Sequence, residues 1–215
     1  MALVISRYCR IQPDTLNSGD ILIKTAEATE IQLNDFNHLY KQAGLEYPKY
    51  FKMDAPSKFG VLAADYLFKD YNWKKDYQDH EIGIVLANAS GSLDTDREFQ
   101  KTIENGDNFF PSPAIFVYTL SNIVMGEICI KYKIKGENMF FLSEGIQSEL
   151  LTTYVATLLN SNPLKSLIVG WMECTNGKPD ILLMYVEHSS KTSGGIEFNK
   201  EQIELLYGYN ESINY

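Results

Sequence analysis

Arginine is the scarcest charge in this chain: only Arg7, Arg10 and Arg97 occur in 215 residues. That weakens any case for a bidentate arginine clamp on phosphate or carboxylate. The formal net charge is -9, from 19 basic and 28 acidic residues. A phosphate backbone needs clustered lysine and arginine, so nucleic acid is not an expected partner. Cys9, Cys129 and Cys174 stand apart with no CxxC spacing, which predicts three reduced thiols in a cytoplasmic protein. His38, His80 and His188 are equally scattered and form no metal-spaced cluster. Neither GxGxxG nor GxxxxGK[ST] is present, which predicts no nucleotide cofactor, and no metal is expected. No run of 18 apolar residues exists, so no membrane span is expected.

What is present is an ordinary soluble composition, 45% hydrophobic and 22% charged, in a chain long enough to bury a core without disulfides. Its most organised stretch runs from Lys135 to Glu173. Met139 to Leu142 are four consecutive apolar residues, the length of a short strand. Ser143 is placed to cap a following helix, where first-turn amides would also stabilise the charge of Glu144. Ile146, Leu150, Leu151, Tyr154, Val155, Leu158 and Leu159 then recur at helical spacing, and Asn160 to Pro163 stops the helix. Leu167 to Val169 begin a second strand. This is a βαβ unit, and its strand-to-helix corner is where such units place chemistry. The corner, Ser143-Glu144-Gly145, holds no cysteine, histidine or lysine.

Elsewhere, Leu3 to Ile11 and Ile21 to Ile23 read as strands, and a short helix is expected around Asp35 to Gln42. Ser57 to Asp70 reads as a helix whose start is marked by Pro56-Ser57. Glu81 to Ala87 reads as a central strand in which Gly83 permits a close approach. The small-residue loop Asn88 to Ser92 follows it, where open sheets often bind ligands. A helix is expected over Thr95 to Glu104. Ala114 to Lys133 reads as one mostly helical run, started by Ser112 and Pro113, with Phe116, Leu120, Ile123 and Val124 inward and Gly126 at a close contact. Ile181 to His188 should pair as a hairpin with Leu167 to Met172 after a turn at Gly177-Lys178-Pro179. A last short helix is expected over Phe198 to Tyr207. Together these predict an α/β fold, a mixed β-sheet with helices on both faces.

For chemistry, a nucleophile needs an adjacent base. Ser143 has none in sequence, and His188 ends a strand without an evident partner. Met139, Phe140, Phe141 and Leu142 have a second reading. An apolar strand at a sheet edge aggregates unless covered, so a partner subunit is the simplest cover.

An ordered set of motifs resembles the N-terminal half of a β-ketoacyl-[acyl carrier protein] synthase, of the thiolase-like superfamily. Lys52-Met53-Asp54 with Gly60-Val61-Leu62-Ala63-Ala64 resembles that family's RMD…AL-x-AA helix. Ile82-Gly83-Ile84-Val85 with Ala89-Ser90-Gly91-Ser92 resembles its GV-x-x-GTG-GG strand and loop. Ser112-Pro113, Phe116, Thr119, Asn122 and Gly126 reproduce the spacing of its SP-x-x-F-x-x-T-x-x-N-x-x-x-G segment. Gly136-Glu137-Asn138 and Gly170-Trp171-Met172-Glu173 stand where the family has GPN…AC-x-S and GG-x-E. Aligned on those anchors without a gap, the nucleophilic cysteine position falls on Gly145 and the residue before it on Glu144.

The resemblance implies a single thiolase-like lobe over 1–188, followed by a C-terminal loop and short helix over 189–215. Glycine cannot hold an acyl group, and the family's catalytic histidines and lysine belong to a C-terminal half that this chain is not expected to reach. Family members pair through the strand before the nucleophile, here Met139 to Leu142. Some polyketide and aryl-polyene systems pair an active synthase with an inactive one, and the resemblance implies a role in fatty-acid, polyketide or aryl-polyene type biosynthesis. The resemblance therefore implies a non-catalytic subunit, forming a homodimer or a heterodimer with a full-length ketosynthase, with an acyl carrier protein as a possible further partner. Two alternatives stay open: a homodimeric acyl- or acyl-carrier-binding module that binds beside Ser143 to Gln147, and a residual thioester-directed enzyme using Ser143, Glu144 or His188. The lost half is also expected to leave a large apolar face to be covered by Phe198, Ile203, Leu205, Leu206 and Tyr207 of the tail or by another chain.

Overall fold

The computed structural model describes residues 2–13, 21–25, 30–33, 39–41, 43–104, 106, 109–161, 163–192 and 194–208. Among them, eight strands form one mixed sheet: β1 (Leu3–Pro13), β2 (Ile21–Thr25), β3 (Glu30–Leu33), β4 (Ile82–Asn88), β5 (Asn138–Leu142), β6 (Ser166–Thr175), β7 (Lys178–His188) and β8 (Ile196–Glu197). The order is β3-β2-β1-β7-β6-β4-β5, with β8 added beside β1. β5, β4 and β6 run parallel; from β6 to β3 every neighbour is antiparallel. Of the helix expected around Asp35 to Gln42, residues 39–41 are helical and the remainder lies outside the described residues.

The sheet is buried on both faces because its central strands are apolar at every register. Ile82, Ile84 and Leu86 of β4 join one core and Val85 and Ala87 the other, and β7 splits in the same way into Ile181, Leu183, Tyr185 and Leu182, Met184, Val186. Alternation with both sets apolar is the pattern of a strand covered twice. On the first face lie α1 (Ala55–Leu67) and α4 (Ile123–Tyr132); on the second lie α5 (Ser148–Ser161) and α6 (Lys200–Tyr207). Two shorter helices, α2 (Leu93–Lys101) and α3 (Pro113–Phe116), pack on each other.

Several local expectations need correction. The helix expected over Ser57 to Asp70 runs over Ala55–Leu67 and is capped by Asp54, whose carboxylate accepts from the Ser57 amide at 3.0 Å and from the Thr95 hydroxyl at 3.0 Å. Ala114 to Lys133 is two helices, not one, and Phe116 and Leu120 are 59% and 56% exposed instead of inward. The close contact belongs to Gly60, where an added Cβ would lie 2.3 Å from Val124 Cγ2, whereas Gly126 faces open space. Gly83 does admit a close approach, with the Glu137 carbonyl 2.5 Å from where a Cβ would be. The β6–β7 hairpin turns at Asn176-Gly177, both at positive φ (52° and 72°), the pairing favoured by two-residue hairpin loops.

Of the two covers expected for an apolar face, the tail is the one seen among the described residues, with Leu205 itself exposed. Phe198 and Ile203 are buried against α5, and the outward positions of α5 are Glu149, Thr153, Thr157 and Asn160, with Leu150. α6 is held by Arg10, whose guanidinium pairs with Asp180 at 2.7 Å, donates to the Tyr207 carbonyl at 3.2 Å and lies 4.6 Å over the Tyr207 ring. The Tyr207 hydroxyl in turn donates to Asp180.

Gly170 and Gly126 make a controlled pair. A Cβ at Gly170 would sit 2.1 Å from the Leu182 backbone oxygen, in the middle of the hairpin ladder. Gly170→Ala should cost about 2–3 kcal/mol or more, read as a lowered urea midpoint. Gly126→Ala, on an open helix surface, should be neutral or stabilise by about 0.5–1 kcal/mol; equal midpoints for the two variants would refute the packing account.

Candidate functional site

The strand-to-helix corner is built differently from its sequence reading. β5 ends at Leu142, and the Ser143 amide continues the ladder to the Asn88 carbonyl at 3.0 Å. α5 starts only at Ser148, so Ser143 is not its cap and Glu144 lies outside its first turn, exposed. The Ser143 hydroxyl donates to the Gly145 carbonyl at 3.0 Å, and the Gln147 side-chain amide donates to the same oxygen at 3.3 Å. Ile146 is buried and fixes the loop against the second core. The Ser143 proton thus goes to a backbone carbonyl and not to a base, an arrangement that does not activate a nucleophile.

His188 stands at the other end of the sheet. Glu187 pairs with Ser166, which pairs with Ile82 at the start of β4, while Ser143 bonds Asn88 at its end. The length of β4 separates the two residues, about 20 Å at roughly 3.3 Å per residue. Ser143 and His188 are not brought together. Nor do the cysteines supply a nucleophile: burial pushes the Cys129 thiol up to about 11. Burial, with Asp94, Asp54 and Glu173 nearby, pushes Cys174 to about 12, and burial raises Cys9 further. All three stay protonated at neutral pH. Among the described residues, no group of His, Cys, Asp and Glu is placed to hold a metal.

The loop after β4, a candidate ligand loop, is occupied by the protein itself. Glu173 at the end of β6 reaches across to it and accepts from the Ala89 amide (2.8 Å), the Ser90 amide (3.0 Å) and the Ser90 hydroxyl. The Cys174 amide (3.0 Å) and Thr175 hydroxyl (2.7 Å) complete the set. Two motifs separated by some eighty positions in sequence therefore meet in one carboxylate. Asn88 closes the loop from within, exchanging hydrogen bonds with the Gly91 amide and carbonyl, and Gly91 takes φ 61°.

Beside the corner, the exposed large side chains along the strand edge are apolar. β5 pairs only with β4 among the described strands, so its other edge is open. Phe140 packs into the first core, while Met139 and Phe141 pack into the second, the latter edge-on to Tyr154 at 5.4 Å. Leu142 is 61% exposed, and its methyl lies near Gly91 and Ser121. Ser92 ties that loop to the Thr119 carbonyl at 3.0 Å, so Leu142 adjoins the segment carrying exposed Phe116, Val117 and Leu120. Phe109 and Phe110 precede this segment and are 62% and 79% exposed. Sequence periodicity assigned Phe116 and Leu120 to the core, and only the break between α3 and α4 places them outside. Large apolar side chains concentrated beside an open strand edge are what an interaction face requires.

No family model and no curated protein matches this chain. Solved structures do. The ishigamide ketosynthase/chain length factor matches with a TM-score of 0.68 at 17% identity, over 90% of this chain and 64% of that one. The fold is that of a ketosynthase. A chain of the ketosynthase ApeO in complex with its chain length factor ApeC, from Xenorhabdus doucetiae, matches at a TM-score of 0.59 and 13% identity; the match spans 99% of this chain and 92% of that one. The third, from AntDE:AntF, a type II polyketide acyl-carrier protein in complex with its ketosynthase, has a TM-score of 0.59 at 11% identity and covers 88% and 64%. This ketosynthase-like chain thus spans less than two thirds of the ishigamide and AntDE:AntF chains and nearly all of the one from the ApeO–ApeC complex. Among its described residues, no helix is long and apolar enough to cross a membrane.

Burial raises the Glu173 carboxyl, but hydrogen bonds led by Ser90 outweigh it and hold the group below the usual carboxylate range. A carboxyl depressed in the folded state stabilises above its unfolded value and loses that contribution as pH falls through the folded one. Glu173→Gln should therefore cost about 2 kcal/mol near neutral pH, with the gap to the parent narrowing below about pH 4. A gap that stays constant down the acid limb would refute the assignment.

Proposed function

We propose that this chain is a non-catalytic ketosynthase-like subunit that pairs through the β5 edge with an active β-ketoacyl synthase acting in fatty-acid, polyketide or aryl-polyene type biosynthesis. The observation that carries the reading is a juxtaposition. The position expected for the nucleophile is Gly145, beside a serine whose hydroxyl donates to a backbone carbonyl, while the strand leading to it offers an open edge next to exposed Leu142, Phe116, Val117 and Leu120. These features support a subunit that docks and leaves the chemistry to its partner. Solved complexes of ketosynthases with chain length factors among the matches support the same reading. An acyl carrier protein is then met through the pair, and Gly145 leaves the acyl group to the partner's nucleophile.

Co-expression with ketosynthases of the source organism, followed by pull-down and light scattering, tests this. The expected product is a one-to-one complex with an intact ketosynthase. Leu142→Asp or Phe110→Asp should weaken it by about 2 kcal/mol or more, roughly thirtyfold, with the isolated subunit's melting temperature unchanged. Ser143→Ala should leave both complex and product formation intact. A stable monomer, or a homodimer that excludes every ketosynthase offered, would overturn the proposal.

A further inference from the structure

At the end of the sheet away from the corner, a recess of about 360 Å³ opens where α1 and α4 finish. Tyr71 in its wall packs against Tyr185 at 5.8 Å, and Tyr185 donates to Ser166 at the very start of β6, which fixes that location. The volume is in the range of small-molecule sites. Four of the lining side chains are aromatic: Phe68, Tyr71, Trp73 and Tyr132. They are held in place before any ligand arrives. Phe68 packs on Tyr132 at 5.0 Å and on Tyr185 at 5.4 Å, and the Tyr132 hydroxyl donates to Asp65 at 2.5 Å.

The charge around these rings is the informative part. Aromatic walls usually suit a cation, because the ring face is negative. Here three of the four rings already carry a protein cation: Arg7 lies 4.7 Å from the Tyr71 centroid, Lys74 5.2 Å from Trp73 and Lys131 5.1 Å from Tyr132. The single carboxylate in the lining, Asp65, is taken up by Lys131. Lys69 and Lys74 stand exposed in the lining, on a chain whose net charge is -9. Within the lining the excess charge is cationic, carried by Lys69 and Lys74, while Glu187 and Asp76 act on Tyr71 from beyond it. We propose that this recess binds a small planar aromatic anion, its ring among Phe68, Tyr71 and Trp73 and its acid group toward Lys69 and Lys74. The site is independent of the docking face and of any partner that face takes.

The chain has two tryptophans, Trp73 and Trp171, and the Trp171 indole N–H is buried without a partner. Trp171→Phe therefore removes no hydrogen bond and leaves Trp73 as the sole indole reporter. Indole-3-acetate, indole and tryptamine share one ring and differ in charge, so titrating each into tryptophan-labelled protein separates anion from cation recognition. The expected result is a saturable shift of the Trp73 indole signal with indole-3-acetate, about tenfold tighter than with tryptamine or indole, and weaker at high salt. Lys69→Ser with Lys74→Ser should abolish the preference for the anion, Tyr71→Ala should weaken all three ligands, and Leu142→Asp should change nothing. Equal or tighter binding of tryptamine or indole, or no shift with any ligand, would overturn the proposal. Should Trp171→Phe not fold, the parent protein serves, with the reporter assigned as the signal lost in Trp73→Phe.

Discussion

Everything in this fold follows from keeping water away from β4. All seven of its residues are buried, and its backbone groups must find partners on both sides and its side chains on both faces. β6 takes one side and β5 the other, in parallel, which obliges the chain to cross over by way of helices. α1 and α4 cover one face, and α5 and α6 the other. Glycines stand where this closure leaves no room for a Cβ: Gly83 against Glu137, Gly136 against Ile82, Gly170 against Leu182. Because β5 exists to complete β4, its own outer edge is left to whatever comes next.

Most of that architecture was legible in the sequence because burial on two faces writes a continuous apolar run. Ile82 to Ala87, Leu167 to Val169 and Ile181 to Val186 could hardly be anything but covered strands. The βαβ unit, the hairpin and the terminal helix followed from the same signal. Boundaries were harder to read where a short-range rule and a packing contact compete. Ser143 has the chemistry of a cap, but buried Ile146 pins the loop and delays the helix to Ser148. Phe116 and Leu120 have the spacing of an inward helical face, but the helix breaks before that face can form.

The site shows the same division. That the corner holds no cysteine, histidine or lysine was plain from residue identity alone. That Ser143 and His188 lie at opposite ends of β4 was not, because only the register supplies that distance. Nor could spacing reveal that Glu173 stitches the loop Asn88 to Ser92 to the end of β6. The two motifs resembled one family separately, and their meeting is a property of the folded sheet. The aromatic recess was partly hidden, since Asp65 to Lys74 supplies most of its wall but Ala43 and Tyr132 close it from distant stretches of chain.

The clamp at Arg10 sets a schedule for folding. β1 is made first, yet its partner across the sheet is β7, and Arg10 bonds Ile181, 171 residues away, and Tyr207, 197 away. At 5–20 residues per second, the ribosome leaves the first strand waiting roughly 9–34 s for that partner. Until then, only the meander with β2 and β3 is open to it. Contacts this distant also make the search itself slow, since loop closure precedes any gain from pairing. β1 is thus locked into place only when α6 arrives.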